Sequence, residues 1–140
     1  NPSLVGSEMC IRDRLNSESD IQIKVGLSHG DMTLSNMIFT DEIYLIDFLD
    51  SYVESPTMDL VKLRQDTHLH WSLNMVNSVT DLSKIKLGLS YIDRWLVKNY
   101  PIEKYELLQI INLQRIYPYT NDTKIKNYLE TNINKLCELL

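Results

Sequence analysis

Ile21, Ile23, Val25 and Leu27 alternate with Gln22, Lys24 and Gly26, the period-two pattern of a half-buried strand. Two further apolar runs, Met37-Ile38-Phe39-Thr40 and Ile43-Tyr44-Leu45-Ile46, flank Asp41-Glu42 and predict a tight hairpin. Beyond it the period changes to three and four residues. Ser55 followed by Pro56 is an N-cap with proline in the first turn, so a helix is expected over 56–76. It would turn Leu60, Leu63, Thr67 and Trp71 inward. A second helix over 82–98 carries the stripe Leu82, Ile85, Leu89, Ile92 and Trp95, with Pro101 just beyond it. A third runs over 102–116 and is ended by Pro118. A fourth over 122–138 starts near Asn121-Asp122 and carries Ile125, Leu129, Ile133 and Leu136. Leu15–Asp20 and Asp50–Glu54 read as loops. The fold class is α+β, mostly α, without an internal repeat or low-complexity segment.

The amino-terminal end changes how much of the chain is read as native. Ser3–Arg14, SLVGSEMCIRDR, back-translates into a sequence that resembles a transposase-type sequencing adapter read in frame. Such a scar is set apart before fold reasoning. Residues 1–14 are therefore read as non-native, and 15–140 as one domain, large enough for a single core. The twelve-residue scar holds two acids and two bases, so the net charge of −5 is unchanged without it. An acidic chain lacking a basic cluster argues against nucleic acid or an anionic membrane surface as partner. No run approaches the length of a membrane span. With Cys10 set aside, Cys137 stands alone, which excludes an intrachain disulfide and points to a reducing cytoplasm. Cys137 sits beside Leu136 in a helical pattern and reads as packing.

Candidate chemistry is concentrated in Ser28–Asn36 and Ile43–Asp47. Asp31, an asparagine five positions on at Asn36, and Asp47 behind a short apolar strand have the spacing of a kinase phosphate-transfer apparatus. With the hairpin turn centred between 41 and 42, Asn36 faces Asp47 directly, with Cα atoms roughly 4.5–5.5 Å apart. Two oxygen donors at that separation can share a hard cation whose other ligands are phosphates. The plainer reading is a surface hairpin whose Asn36 and Asp47 only cap its open end.

The same residues resemble the aminoglycoside phosphotransferase and choline kinase superfamily, small-molecule kinases with a protein-kinase-like fold. His29-Gly30-Asp31, Asn36 and Ile46-Asp47-Phe48 match its catalytic loop and metal aspartate. Ser55-Pro56-Thr57-Met58-Asp59-Leu60 is similar to its Asp-Pro-x-x-Asp-Leu stretch, with Ser55 in place of the first aspartate. The likeness is good from about residue 21 to 76, and Gly30 stands where protein kinases carry arginine. The resemblance implies the C-terminal lobe of such a kinase, its short hairpin carrying the metal site. Asp31 would take the proton of a substrate hydroxyl, and Asn36 and Asp47 would hold Mg²⁺ against the phosphates of ATP. Ile38 and Ile46 would floor the adenine pocket or serve as plain core. His29 belongs to the catalytic loop, where bracing by hydrogen bonds is favoured over a role as base or metal ligand. Asp59 would tether that loop from below.

A kinase also needs a glycine-rich loop and a strand lysine upstream of these residues. Gly6, Gly26, Gly30 and Gly88 form no such motif, and Lys24 is too near Asp31 to lie in a separate lobe. The N-terminal lobe is thus expected to be missing, and the chain alone inactive. The acceptor is a small hydroxyl compound, choline-like, sugar or aminoglycoside-like; no acidic cluster over 66–76 favours a polycation. His68 and His70, two apart on the expected helix, point to different faces and do not suit a shared metal. Asp50 and His68 remain as candidates for the phosphate and acceptor sides. Two rival classes are a metal-dependent phosphoesterase, which would need more histidines than His68 and His70 add, and a non-catalytic helical module or pseudokinase.

Overall fold

The computed structural model describes residues 20–51, 53–76 and 81–140, together with Asp13, Asn16 and Ser17. The segment read as a scar therefore lies outside the described residues except at Asp13. Asn16 and Ser17 are helical where a loop is expected.

The described residues form a small antiparallel hairpin and four α-helices, an α-rich α+β arrangement. The strands are β1 (Met37–Phe39) and β2 (Ile43–Leu45), and the helices are α1 (Pro56–Thr67), α2 (Ser83–Asn99), α3 (Tyr105–Ile116) and α4 (Thr123–Leu139). Ile23–Glu103 makes one compact unit, and Lys104–Leu140 belongs to a second. Among the described residues no helix is long and apolar enough to cross a membrane.

In the first unit the expected strand over 21–27 does not form. The Gly26 N–H donates to the Glu54 carbonyl (3.1 Å), but Val25 and Leu27 are exposed. Alternation becomes a strand only when a sheet edge lies alongside, and here β1 and β2 pair with each other alone. Ser55 is the N-cap of α1: its Oγ accepts from the Thr57 N–H (3.2 Å) and donates to the Lys24 carbonyl (2.6 Å). Met58 and Val61 are buried on α1, while Leu60 and Leu63 are half-buried.

α1 stops at Thr67, nine residues before the expected end. His70 takes up left-handed backbone (φ 57°), and Trp71–Met75 continues as a 3-10 turn. A continuous helix would send the Ser72 N–H to the His68 carbonyl; it donates instead to Asp66 Oδ1 (2.9 Å). α2 also departs from its expected face. Asp93 and Leu96 are buried, whereas Ile85, Ile92 and Trp95 are exposed. The cause lies on α1, where Arg64 Nε and Nη2 grip the two oxygens of Asp93 (2.8 and 3.1 Å) and Thr67 Oγ1 donates to Oδ1 (3.0 Å). A bidentate buried pair satisfies both charges only in one helix rotation, so it outranks the apolar stripe.

The second unit follows its pattern closely. Asp122 caps α4, accepting from the Lys124 and Ile125 N–H groups. Leu129, Ile133, Leu136 and Cys137 of α4 and Leu107, Leu108, Ile110 and Leu113 of α3 are buried, and the two helices pack on each other. Lys104, with φ 52°, turns the chain into α3.

Candidate functional site

One face of α1 organises the segment 24–34. Ser55, Asp59, Lys62 and Asp66 recur at intervals of four, three and four, which stacks them along one side of a helix. They meet the preceding chain in order. Ser55 holds the Lys24 carbonyl, as above. Asp59, buried, accepts the N–H groups of His29 (Oδ2, 2.7 Å) and Gly30 (Oδ1, 3.0 Å). Lys62 Nζ lies 3.0 Å from Asp31 Oδ1, and Asp66 Oδ2 accepts the Leu34 N–H (2.7 Å). The tether expected of Asp59 thus has its geometric counterpart in two backbone bonds.

His29 is buried and both its ring nitrogens are engaged. Nδ1 accepts the Asp31 N–H (3.3 Å), which leaves Nε2 protonated to donate to the Ile46 carbonyl (2.7 Å). The ring also packs on Phe48, with centroids 4.3 Å apart. The imidazole ties the loop to the end of the hairpin, and neither nitrogen is left over for a base or a metal ligand. Gly30, at φ 83°, lies so close to the chain that a Cβ would stand 1.9 Å from the Leu49 carbonyl oxygen. Only glycine fits both the dihedral and the space.

Asn36 joins loop and hairpin. Its Nδ2 donates to the Asp31 carbonyl (2.9 Å) and to Asp31 Oδ2 (3.1 Å). Among the described residues each carboxylate oxygen of Asp31 therefore has one partner, Lys62 or Asn36. The hairpin register differs by one residue from the expected one. Met37 pairs with Leu45, Ile38 with Tyr44 and Phe39 with Ile43, so the turn centres on Asp41. Asn36 consequently faces Ile46, whose N–H donates to its carbonyl (3.0 Å), and Asp47 lies one position beyond. The reason is local. Thr40 N–H and Oγ1 both donate to the Glu42 carbonyl (2.9 and 3.0 Å), closing a wider turn than two residues would.

A slip of one residue normally sends a side chain to the opposite face. Asp47, however, has left the pleat, with φ 56°. Left-handed backbone at a non-glycine residue is strained, and such strain clusters at functional sites. Among the described residues no protein group bonds the Asp47 carboxylate. Ile38 and Ile46 are 47% and 37% exposed, which removes the plain core reading for both.

Lys62 and Asp66 are the residues that motif reading passed over. Their spacing from Asp59, three and seven, is the signal that places them on its face. His70 is removed from this cluster: burial and the Lys86 ammonium hold its imidazole below the usual range, opposed by Asp93. His68 lies with Thr67, Leu87, Ser90, Asp93 and Arg94 around an open cleft of about 300 Å³ between α1 and α2. Thr67 at the end of α1 and His68 just beyond it line that cleft, away from the Asp59–Lys62–Asp66 side of the helix. Among the described residues no group of three His, Cys, Asp or Glu could hold a metal ion. Comparison with protein-family models, curated proteins and solved structures finds no match to this chain.

Proposed function

We propose that this chain carries the catalytic-loop lobe of an ATP-dependent phosphotransferase acting on a hydroxyl group of a small molecule. The observation that carries the reading is the Asn36 amide on the Asp31 carboxylate, with Asp47 one position past the Ile46 that Asn36 faces, in left-handed backbone and, among the described residues, with no protein group on its carboxylate. Such a set offers a carboxylate base on one side and hard oxygen donors on the other.

The donor chemistry fits magnesium. With Nδ2 committed to Asp31, Asn36 keeps Oδ1 as an acceptor, and Asp47 adds a carboxylate. Magnesium is commonly bound by one or two protein oxygens, with phosphates and water completing its shell. A set too small for an all-protein cage is therefore the expected one. Bound MgATP would supply the phosphoryl group and neutralise its charge. The chain's own part is positioning and proton transfer. Asp31, oriented by Asn36 and Lys62, accepts the acceptor's hydroxyl proton as that oxygen bonds to the γ-phosphorus and ADP departs. Asp59 and His29 hold the loop so that Asp31 does not reorient. Exposed Ile38 and Ile46 offer apolar surface to an adenine ring. A sugar or other small metabolite is preferred as acceptor, and a reducing cytoplasm as the setting.

A second reading, a non-catalytic binding module, draws on Lys62, whose ammonium pairs with one of the two oxygens a base would use. Manganese separates the two. In the ¹⁵N-labelled chain, Mn²⁺ should broaden the Asn36 and Asp47 signals first, and Asp47→Asn should remove that focus. Broadening centred elsewhere, or none, would leave the binding module as the better account.

A further inference from the structure

We infer that Asp66 is a positioning residue for Asn36, holding the metal side of the loop as Asp59 holds the base side; the inference rests on the phosphotransfer reading. Asp66 is 1% exposed, and its carboxylate gathers three donors. Oδ2 accepts the Leu34 N–H at 2.7 Å, and Oδ1 accepts Ser72 N–H and Oγ at 2.9 and 2.6 Å.

Leu34 opens the single 3-10 turn Leu34–Asn36, which closes with the Met37 N–H on the Leu34 carbonyl. Where the Leu34 amide is pinned, the turn is pinned, and with it the residue that leads into β1. Asn36 then reaches Asp31 across the turn. The loop is thus held at two points by carboxylates two helical turns apart on α1. Asp59 takes His29 and Gly30, immediately before the base. Asp66 takes Leu34, two residues before the metal-side ligand and in the same turn.

The chemistry of the tie supports a role beyond folding. Among the described residues Asp66 has no cationic partner, so a buried charge is balanced by N–H and O–H donors alone. A neutral side chain could cap the same amide with a smaller desolvation cost. What a carboxylate adds is short, charge-assisted bonds that restrict movement. Asp66 also joins the loop to Ser72, which follows the left-handed His70, so that the 71–75 segment and Asn36 share one anchor. Residues that orient a metal ligand from behind commonly change affinity about 10–100-fold when altered.

The test uses the full chain, with Mn²⁺ alone as probe and amide exchange as a second readout. In Asp66→Asn, exchange at Leu34 and Asn36 should rise at least about tenfold, while His29 and Gly30, held by Asp59, stay protected. Mn²⁺ affinity at Asn36 and Asp47 should fall about tenfold. Ser72→Ala, which introduces no new buried polar group, should show the same pattern at severalfold strength, and serves if Asp66→Asn does not fold. Faster exchange with unchanged Mn²⁺ affinity would make Asp66 a structural tie only, overturning the inference and leaving the functional reading intact. Absence of a Mn²⁺ site at Asn36 and Asp47 in the unaltered chain would overturn both.

Discussion

Lys62 places its ammonium 3.0 Å from Oδ1 of Asp31, and both side chains are largely shielded, at 17% and 30% exposure. The pair joins α1 directly to the proposed base. Partly exposed ion pairs contribute little, so a double-mutant cycle with Lys62→Met and Asp31→Asn should give a coupling of about 1 kcal/mol at low salt. Urea unfolding measures it. In about 1 M KCl, where the screening length shrinks to about 3 Å, the coupling should decrease. Strictly additive single variants would mean that the pair is not maintained in solution.

Gly30 should tolerate no side chain. Alanine there meets the Leu49 carbonyl oxygen at 1.9 Å and must adopt φ 83°. Left-handed strain and overpacking together are worth about 2–4 kcal/mol. Chemical denaturation of Gly30→Ala should show a loss of that size, together with faster exchange at the Leu49 amide, which donates to the His29 carbonyl (3.0 Å). A loss under about 0.5 kcal/mol, the level of an ordinary surface substitution, would mean that loop and hairpin are not in such close contact.

His70 should make stability depend on pH in the acid range. Burial and Lys86 hold its folded-state value below the ordinary 6.5, with Asp93 pulling the other way. The unfolded chain therefore binds the proton first as pH falls. The contribution to stability is complete above the unfolded value and is lost as pH drops through the lowered folded value. His70→Asn keeps a residue that accepts left-handed backbone and removes the titration. Between about pH 8 and pH 5, the native chain should lose more stability than this variant, measured as urea midpoints. Parallel slopes would remove His70 from the pH response.

Local chemistry was the most legible part of the chain. Ser55-Pro56 marked the start of α1, and Asp122 the start of α4, because an N-cap side chain acts on amides two or three residues away. The hairpin appeared as two β-prone runs around a polar turn. Its register did not, because the Thr40 side chain widened the turn by bonding Glu42, a choice among turn types that strand pattern does not encode. That single residue moved Asn36 from Asp47 to Ile46.

Tertiary contacts overrode periodicity wherever buried charge was at stake. The apolar stripe of α2 pointed through Ile92 and Trp95, yet Asp93 faces inward to meet Arg64. The helix expected through Val76 breaks after Thr67 because Asp66 draws in the Ser72 amide. In both places an apolar side chain lost to a carboxylate whose hydrogen bonds have to be made once it is buried.

Sequence by itself determined the identity of the candidate reacting groups, Asp31, Asn36 and Asp47, along with the hairpin and the existence and order of the helices. Those follow from residue chemistry and from spacings of a few residues. Asp59 and His29 were expected to hold the loop; only the tertiary structure added Lys62 and Asp66 and decided what His29 bonds to. Lys62 and Asp66 act on residues about thirty positions away, and His29 is confined by a carbonyl seventeen residues on. Such partners are chosen by where α1 lies under the loop, which depends on buried polar groups being satisfied together rather than on any local pattern.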